Sequence, residues 1–352
     1  MSGITEIIGR IPTVNRTLQA EVSGHLDRLT KPPGSLGRLE DFAVQYCCVT
    51  GTTKPEIRKK IIFTLAGDHG VAEEGVSAYP KEVTPQMVRN ILVGGAAVNV
   101  LARHAGADVR VVDIGIDNPM EGADGLIRRK VRSGTGNISK EPAMTTDEAE
   151  KAIEAGINLA RGAASEGAGL IGTGEMGIAN TTPAAALFAA LLPCEAGEIT
   201  GRGTGIDDAA LARKKEIVER ALALHKDKLA DPLGALAALG GMEIAGIAGL
   251  ILGAASCRIP VVVDGFISSA GALAACRMCP KVKDYLYFSH LSHEKGHKVF
   301  AELFGVKPVL DLGMRLGEGT GAALAMSIIE AAIKIYNEMA TFDSAEVSGE
   351  HS

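Results

Sequence analysis

The feature that most constrains this fold is a unit repeated six times along 352 residues: a short apolar run that stops at glycine or polar residues. The first run, residues 61–65, leads into Ala66-Gly67-Asp68-His69-Gly70. The other five runs are 109–114, 170–171, 261–263, 285–288 and 309–310. Helical segments separate most of them, and short apolar strands alternating with helices form a parallel sheet covered on both faces. The sequence therefore predicts an α/β fold with a parallel sheet of about six strands.

The helices expected from the sequence also divide the chain. In the middle of the chain they lie at about 84–104, 146–166, 181–191, 208–225, 232–256, 268–277 and 293–304. The first 50 residues contain no strand, only helices at 15–29 and 36–49 around a proline-containing loop, and a last helix covers about 321–339. We therefore expect a small helical domain from residues 1–58 and 322–342. A large α/β domain over 59–321 and a disordered tail at 343–352 complete this prediction.

Composition narrows the class of protein. With 46% hydrophobic and 22% charged residues the chain is globular, and its net charge of −6 argues against a nucleic-acid partner. Its first residues lack the charged and apolar regions of a signal peptide, so we expect a cytoplasmic protein. The apolar span from Leu233 to Ser256 contains Glu243 and is mostly Ala and Gly, which favours two buried helices over a membrane span.

Two carboxylates stand in glycine-rich loops that follow predicted strands. Glu318 lies between Gly317 and Gly319, and Glu175 lies within the loop Gly172–Thr182. Glycines let a ligand approach the backbone closely, and parallel sheets bind ligands at the carboxyl ends of their strands. The alternative for Glu318 is a solvated residue at the start of a helix.

The loop Gly172–Thr182 precedes a helix that starts near Pro183, so its N–H groups are suited to cradle a phosphate. It matches neither the Walker A motif nor the dinucleotide-binding spacing. Glu175 is unexpected in a site for an anion alone, and a cationic centre beside the phosphate would explain it. A third glycine loop, Gly-Arg-Gly-Thr-Gly, covers residues 201–205.

Histidines and cysteines leave further alternatives open. Asp68-His69-Gly70 suits either half of a catalytic dyad or a turn that organises the strand end, and no Gly-x-Ser-x-Gly motif follows it. His290, His293 and His297 have the spacing of one helical face; a metal site is one reading and contacts at a pocket rim the other, which we favour. Cys276-x-x-Cys279 has no second such pair, so we expect reduced thiols and no metal.

Six motifs then give a resemblance to a known family. They are Lys-Pro-Pro-Gly-Ser-Leu-Gly (31–37), Ala-Gly-Asp-His-Gly-Val (66–71), Gly-Glu-Met-Gly-Ile-Ala-Asn-Thr-Thr (174–182), Gly-Arg-Gly-Thr-Gly (201–205), Asp-Gly-Phe-Ile-Ser-Ser (264–269) and Arg-Leu-Gly-Glu-Gly-Thr-Gly (315–321). Together they resemble the nicotinate-nucleotide–dimethylbenzimidazole phosphoribosyltransferase family. The resemblance implies a Rossmann-like large domain, a small helical domain and a homodimer without a cofactor. It also implies transfer of 5-phosphoribosyl from nicotinate mononucleotide to 5,6-dimethylbenzimidazole, which gives α-ribazole 5′-phosphate and nicotinate in cobalamin lower-ligand assembly.

The same resemblance implies roles for individual residues. Glu318 matches the general base, Glu175 a carboxylate that stabilises positive charge at the ribosyl carbon, and Lys214 a lysine near the ribose. The phosphate would lie on the amides of Gly177 and Gly203, with Ser292 near it. The base pocket would contain Ser77, Tyr79, Gln86, Met176 and Leu316. Two alternatives stay open: a phosphoribosyltransferase or nucleosidase with another base or leaving group, and a nucleotide-binding regulator without activity.

Overall fold

A computed structural model describes residues 3–348, which fold around a six-stranded parallel sheet. Its strands are β1 (Lys59–Gly67), β2 (Asp108–Gly115), β3 (Ile127–Arg128), β4 (Ala168–Met176), β5 (Val261–Val263) and β6 (Leu286–Phe288). Their order across the sheet is β3-β2-β1-β4-β5-β6, and every neighbouring pair is parallel. The predicted α/β class and parallel sheet are confirmed.

One predicted strand is wrong and one was missed. Residues 309–310 form no strand; Leu310 makes only an isolated parallel bridge with His290. The sixth strand is β3, whose two residues pair with Val112 and Asp113 of β2. Because β3 is so short and its Arg128 is exposed, it lacks the apolar run by which the other strands are recognised.

Fourteen α-helices lie within residues 3–348. They are α1 (Gly3–Arg10), α2 (Gln19–Asp27), α3 (Arg38–Thr50), α4 (Val83–Leu92), α5 (Ala97–Ala105), α6 (Thr146–Ser165), α7 (Thr181–Leu191), α8 (Ala196–Ile199), α9 (Asp208–Leu224), α10 (Pro232–Leu239), α11 (Met242–Ser256), α12 (Phe266–Met278), α13 (Lys295–Phe304) and α14 (Thr320–Glu338).

One long helix expected from the sequence is divided in two, and α1 and α8 were not expected. The helix expected at 84–104 ends at Leu92 because Gly94 adopts φ +82, a backbone conformation that interrupts a helix. The span Leu233–Ser256 is divided at Gly240-Gly241 into α10 and α11, as predicted. Within residues 3–348, no helix has both the length and the apolar character needed to cross a membrane.

Helices cover both faces of the sheet. On one face α11 packs closely against α6 and also against α12. A side chain at Gly249 would collide with the backbone of Ile153, so this close approach of α11 to α6 requires glycine. On the other face α14 packs against α3 and α5. Successive side chains of β1 point to opposite faces of the sheet. Phe63 packs on the face covered by α6 and α11, and Ile62 packs on the face covered by α14.

The terminal segments join both layers. Helix α1 packs against α6 and α11, whereas α2 and α3 pack with each other and α3 also contacts α14. Thr341 forms an antiparallel bridge with Leu29, and residues after it continue in turns to 346. In the loop between α2 and α3, Lys31 is buried and its ammonium lies 2.8 Å from Glu40, as suits an interhelical turn. The division into two domains stays a prediction, and residues 349–352 of the predicted tail lie outside the described residues.

Candidate active site

The loop before α14 places Glu318 in an unusual backbone conformation. Gly317, Glu318 and Gly319 have φ of +91°, +65° and +103°, and a side chain is disfavoured in this left-handed region. The surroundings hold the loop in place: Thr64 at β1 donates its hydroxyl to the Glu318 carbonyl (2.8 Å), and Asp264 after β5 accepts from the Gly319 N–H (3.1 Å). A side chain within β1 and another directly after β5 therefore fix the main chain that carries Glu318.

The Glu318 carboxylate is buried and only partly satisfied. Among the described residues its Oε2 has no hydrogen-bond partner. Burial raises the pKa of Glu318, the backbone N–H of Val98 in the first turn of α5 acts in the opposite sense, and the Asp264 carboxylate adds to the rise. A buried carboxylate with raised pKa and a free oxygen has the properties that a general base needs.

Glu175 lies at the end of β4, close to the Glu318 loop. It is buried, and the Asn180 side-chain amide donates a hydrogen bond to its Oε2. A side chain at Gly317 would collide with the Glu175 carboxylate, so the two loops are in contact. Burial raises the pKa of Glu175 to about 8; the Asn180 hydrogen bond opposes this rise, and the carboxylates of Asp264, Glu243 and Glu318 add to it. These acidic groups make an environment that favours a cation.

Lys214 forms a basic counterpart next to this acidic group. It lies on α9, is fully buried and donates to the Thr181 hydroxyl at 2.7 Å. Burial lowers the pKa of Lys214 to about 8, and Glu294 acts in the opposite sense. Since Thr181 directly follows Asn180, two consecutive residues bind Lys214 and Glu175. Of the two adjacent lysines, Lys214 points inward, whereas Lys215 is only half-buried.

The glycine loop 201–205 lines a cleft of about 470 Å³. Four cationic side chains surround this cleft: Arg202, Lys215, Lys295 and Arg315. The Gly203 N–H, predicted to hold the phosphate, donates to both Glu294 oxygens at 2.5 and 3.1 Å. Ser292 lies beside them and accepts from the Glu294 N–H at 3.3 Å. The sequence pointed to Gly203 and Ser292 here, and it did not identify Glu294 as part of the site.

The predicted base pocket is assembled only in part. Ser77 and Ala78 contact Thr204: the two hydroxyls lie 3.4 Å apart, and the Ala78 N–H donates at 3.0 Å. The loop at 77–80 therefore adjoins the glycine loop at 201–205. Met176 is half-buried and Gln86 is exposed; Tyr79 and Leu316 are 53% and 60% exposed. The closed flat slot that these side chains would form stays a prediction.

Asp68 and His69 hold loops together. The His69 Nε2 lies 2.8 Å from Glu243 Oε1, and both residues are fully buried. Asp68 accepts from the Asp117 N–H at 2.8 Å. These bonds connect the end of β1 to α11 and to the loop after β2, as expected if the pair organises the strand-end turn.

The three histidines near α13 do not share one helical face, so that expectation is wrong. The helix begins at Lys295, after His290 and His293. His297 is buried, lies 3.0 Å from the Ser269 hydroxyl and accepts from the Ser292 N–H at 2.8 Å. Burial lowers the pKa of His297 to about 3. Across residues 3–348, no three His, Cys, Asp or Glu residues lie grouped in a way that could hold a metal ion. All six cysteines are free thiols.

Comparison with known proteins gives first the class and then the family. A model of the phosphoribosyltransferase family matches residues 11–347. Two relatives named nicotinate-nucleotide–dimethylbenzimidazole phosphoribosyltransferase match nearly the whole chain. The one from Prosthecochloris aestuarii is 58% identical over 344 residues, 98% of either chain, and the one from Geobacter sp. strain M21 is 56% identical over 348 residues, 99% of this chain and 100% of the relative.

A solved structure agrees with these sequence relatives. The crystal structure of CobT from Thermus thermophilus superposes with a TM-score of 0.91 at 47% identity, covering 95% of this chain and 100% of that chain. The chain therefore belongs to the nicotinate-nucleotide–dimethylbenzimidazole phosphoribosyltransferase family. The predicted family, fold class and enzyme class, a phosphoribosyltransferase and hence a pentosyltransferase, are confirmed.

Proposed function

We propose that this enzyme transfers the 5-phosphoribosyl group of nicotinate mononucleotide to 5,6-dimethylbenzimidazole, giving α-ribazole 5′-phosphate and nicotinate for the lower ligand of cobalamin. The observation that carries the assignment is the polarity of the site. Glu175 and Glu318 form an acidic end, while Lys214 and the cationic cleft form a basic end. A nucleotide with a cationic pyridinium and an anionic phosphate matches both ends.

The two carboxylates suit the two bond changes of this transfer, the departure of nicotinate and the attack of the benzimidazole. The bond from the ribosyl carbon to the nicotinate nitrogen breaks, and its electron pair leaves with that nitrogen as a neutral pyridine, so no general acid is needed. Glu175, as a carboxylate, stabilises the positive charge that develops at the ribosyl carbon. One benzimidazole nitrogen bonds to that carbon, and Glu318 removes the proton from the other.

The basic end holds the phosphate and so positions the ribose. In our proposal the phosphate lies on the amides of Gly177 and Gly203, with the Ser292 hydroxyl near it. Lys214 supports this placement because its ammonium lies close to Gly203: a β-carbon added to that glycine would be 3.2 Å from it. A phosphate on the Gly203 amide would therefore lie near a cation. Anchoring the phosphate restricts the ribose to an attack geometry, and such positioning contributes several kcal/mol to rate acceleration in enzymes.

Release of nicotinate tests this function against its alternatives. The purified protein is incubated in EDTA with nicotinate mononucleotide, with and without 5,6-dimethylbenzimidazole, and free nicotinate is measured. We expect release that depends on the benzimidazole, together with α-ribazole 5′-phosphate by mass. Release without any base would indicate a nucleosidase, and no release under either condition would indicate a non-catalytic nucleotide-binding protein.

We expect the enzyme to accept several benzimidazoles. An apolar slot between Tyr79, Met176 and Leu316, with Gln86 at its edge, would discriminate weakly between rings that differ by one methyl, by only ~1–3 kcal/mol. Benzimidazole and 5-methylbenzimidazole should therefore react alongside the dimethyl compound, and adenine more slowly. Competition at equal concentrations, read by product mass, measures this. A strict requirement for one methylation pattern, or a preference for adenine, would contradict the apolar slot.

We also infer a homodimer in the cytoplasm. The homodimer is proposed from the family resemblance. Val93, Val100 and Leu312 are large apolar side chains exposed on the described surface and are available for contact with a second chain. The cytoplasmic location is supported by the six free cysteines, which suit a reducing compartment.

A further inference from the structure

The further inference concerns Glu294, which occupies the backbone position that the phosphate would use. Glu294 is buried at the N-cap of α13, and its carboxylate accepts twice from the Gly203 N–H. A β-carbon at Gly201 would lie 2.5 Å from the Glu294 Oε2. The carboxylate therefore sits in a concave stretch of backbone that has room for an anion only because Gly201 has no side chain.

The surroundings of this carboxylate are those of a phosphate site. Backbone N–H groups in a glycine loop bind anions, and charged acceptors give the stronger hydrogen bonds. Arg202, Lys215, Lys295 and Arg315 line the same cleft, and buried Lys214 is close enough for Glu294 to affect its titration. A carboxylate and a phosphate would compete here for one amide and one group of cations.

We infer that Glu294 is an internal competitor of the substrate phosphate: its carboxylate holds the Gly203 amide in the free protein, and the phosphate of the substrate binds by displacing it. The identity of the displacing ligand rests on the proposed function. A phosphate dianion has more charge and more acceptor oxygens than a carboxylate, so it competes well for this site. A riboside without phosphate lacks the group that displaces Glu294, so the competition lowers the affinity for phosphate-bearing ligands and leaves the affinity for the riboside unchanged.

The local structure allows the side chain to leave while the backbone stays. The Glu294 N–H donates to the Ser292 hydroxyl, and the Ser292 N–H donates to buried His297. The His293 N–H donates to the Met314 carbonyl at 2.8 Å. After Glu294, the first turn of α13 holds the main chain, since the His297 N–H donates to the Glu294 carbonyl at 2.9 Å. Rotation of the Glu294 side chain is therefore sufficient to free the Gly203 amide.

The test compares the affinities of wild type and Glu294→Gln for three ligands by calorimetry: inorganic phosphate, nicotinate mononucleotide and nicotinate riboside. The variant removes the competing charge and keeps the shape. We expect it to bind phosphate and the mononucleotide about tenfold more tightly, which corresponds to about 1.4 kcal/mol, and the riboside with unchanged affinity. Glu302→Gln removes one exposed carboxylate from the same helix and should change none of the three affinities.

Unchanged or weaker binding of inorganic phosphate by folded Glu294→Gln, or no phosphate binding by either protein, would overturn the inference. If thermal unfolding shows that Glu294→Gln is not folded, Glu294→Asp takes its place. Its shorter side chain withdraws from Gly203, so it should bind phosphate more tightly than wild type, and no gain would be equally decisive. Phosphate binding needs no turnover: a wild-type enzyme that releases no nicotinate refutes the proposed reaction and leaves this result standing.

Discussion

Replacing Glu318 with glutamine is expected to lower kcat by ~10²–10⁴-fold, the usual effect of losing a general base. Glutamine keeps the β-carbon at φ +65, so the backbone strain is unchanged and only the ability to accept the proton is lost. The fold and the affinity for nicotinate mononucleotide should therefore be retained. Steady-state kinetics gives kcat, and calorimetry with the mononucleotide alone gives the affinity.

A carboxylate elsewhere on α14 provides the control. Glu338 is exposed at the end of that helix, and Glu338→Gln should leave kcat unchanged. If Glu318→Gln turned over at a rate close to that of wild type, Glu318 would not be the base and another group would have to take the proton from the benzimidazole.

The sequence predicted best those features that depend on local pattern. Buried strands such as β1 and β4 are continuous apolar runs, and the polar residues that follow them meet at one edge of the sheet because the strands are parallel. Glu175 and Glu318 therefore come together in space although they are distant in the chain. The strand β3 was missed because two residues with one exposed side chain carry no such pattern.

Contacts between distant segments were beyond sequence reasoning. Asp264 follows β5 and, with Thr64, fixes the Glu318 loop, yet nothing in its sequence neighbourhood indicates which N–H groups it accepts from. Asn180 was visible inside a recognised loop, but its bond to Glu175 depends on how that loop turns. The glycines of α6 and α11 resemble helix-weakening residues in sequence, and only the packing of the two helices explains them.

The contact of Glu294 with Gly203 is a second example, within the site, of a long-range contact that the sequence did not predict. Its sequence neighbours His293 and His297 suggested a pocket rim, whereas its bonding partner Gly203 lies 91 positions away. The expectation that the Gly203 amide binds an anion came from the family resemblance, and the anion that the structure shows there is a side chain of the same protein. The resemblance thus indicated that an anion binds here, and the fold was needed to identify the Glu294 carboxylate as the group that occupies the amide.

Replacing Glu175 with glutamine is expected to lower kcat by ~10²–10³-fold, the scale for removing one electrostatic contact to a transition state. The pH dependence of kcat/KM in the wild-type enzyme should reveal the ionisation of Glu175. Because the pKa of Glu175 is about 8 and the carboxylate is the active form, kcat/KM for nicotinate mononucleotide should rise with pH up to about 8. Above that pH it should fall again, because Lys214, whose pKa is also about 8, loses the charge that supports phosphate binding. Binding of the cationic nucleotide favours the carboxylate, so the corresponding rise in kcat should lie at lower pH.

Stability gives an independent measure of this titration. The pKa of Glu175 is raised on folding, from 4.5 to about 8, so its favourable contribution to the free energy of unfolding is complete below pH 4.5 and is lost as the pH rises through about 8. Glu175→Gln cannot ionise and should unfold at a higher temperature than wild type at pH 9, with a smaller difference at pH 6. Its kcat/KM should also lack the rise near pH 8. If Glu175→Gln kept the rise in kcat/KM, or lost stability in parallel with wild type up to pH 9, the titration would belong to a different carboxylate. Measuring Glu318→Gln over the same pH range would then show whether Glu318 is responsible.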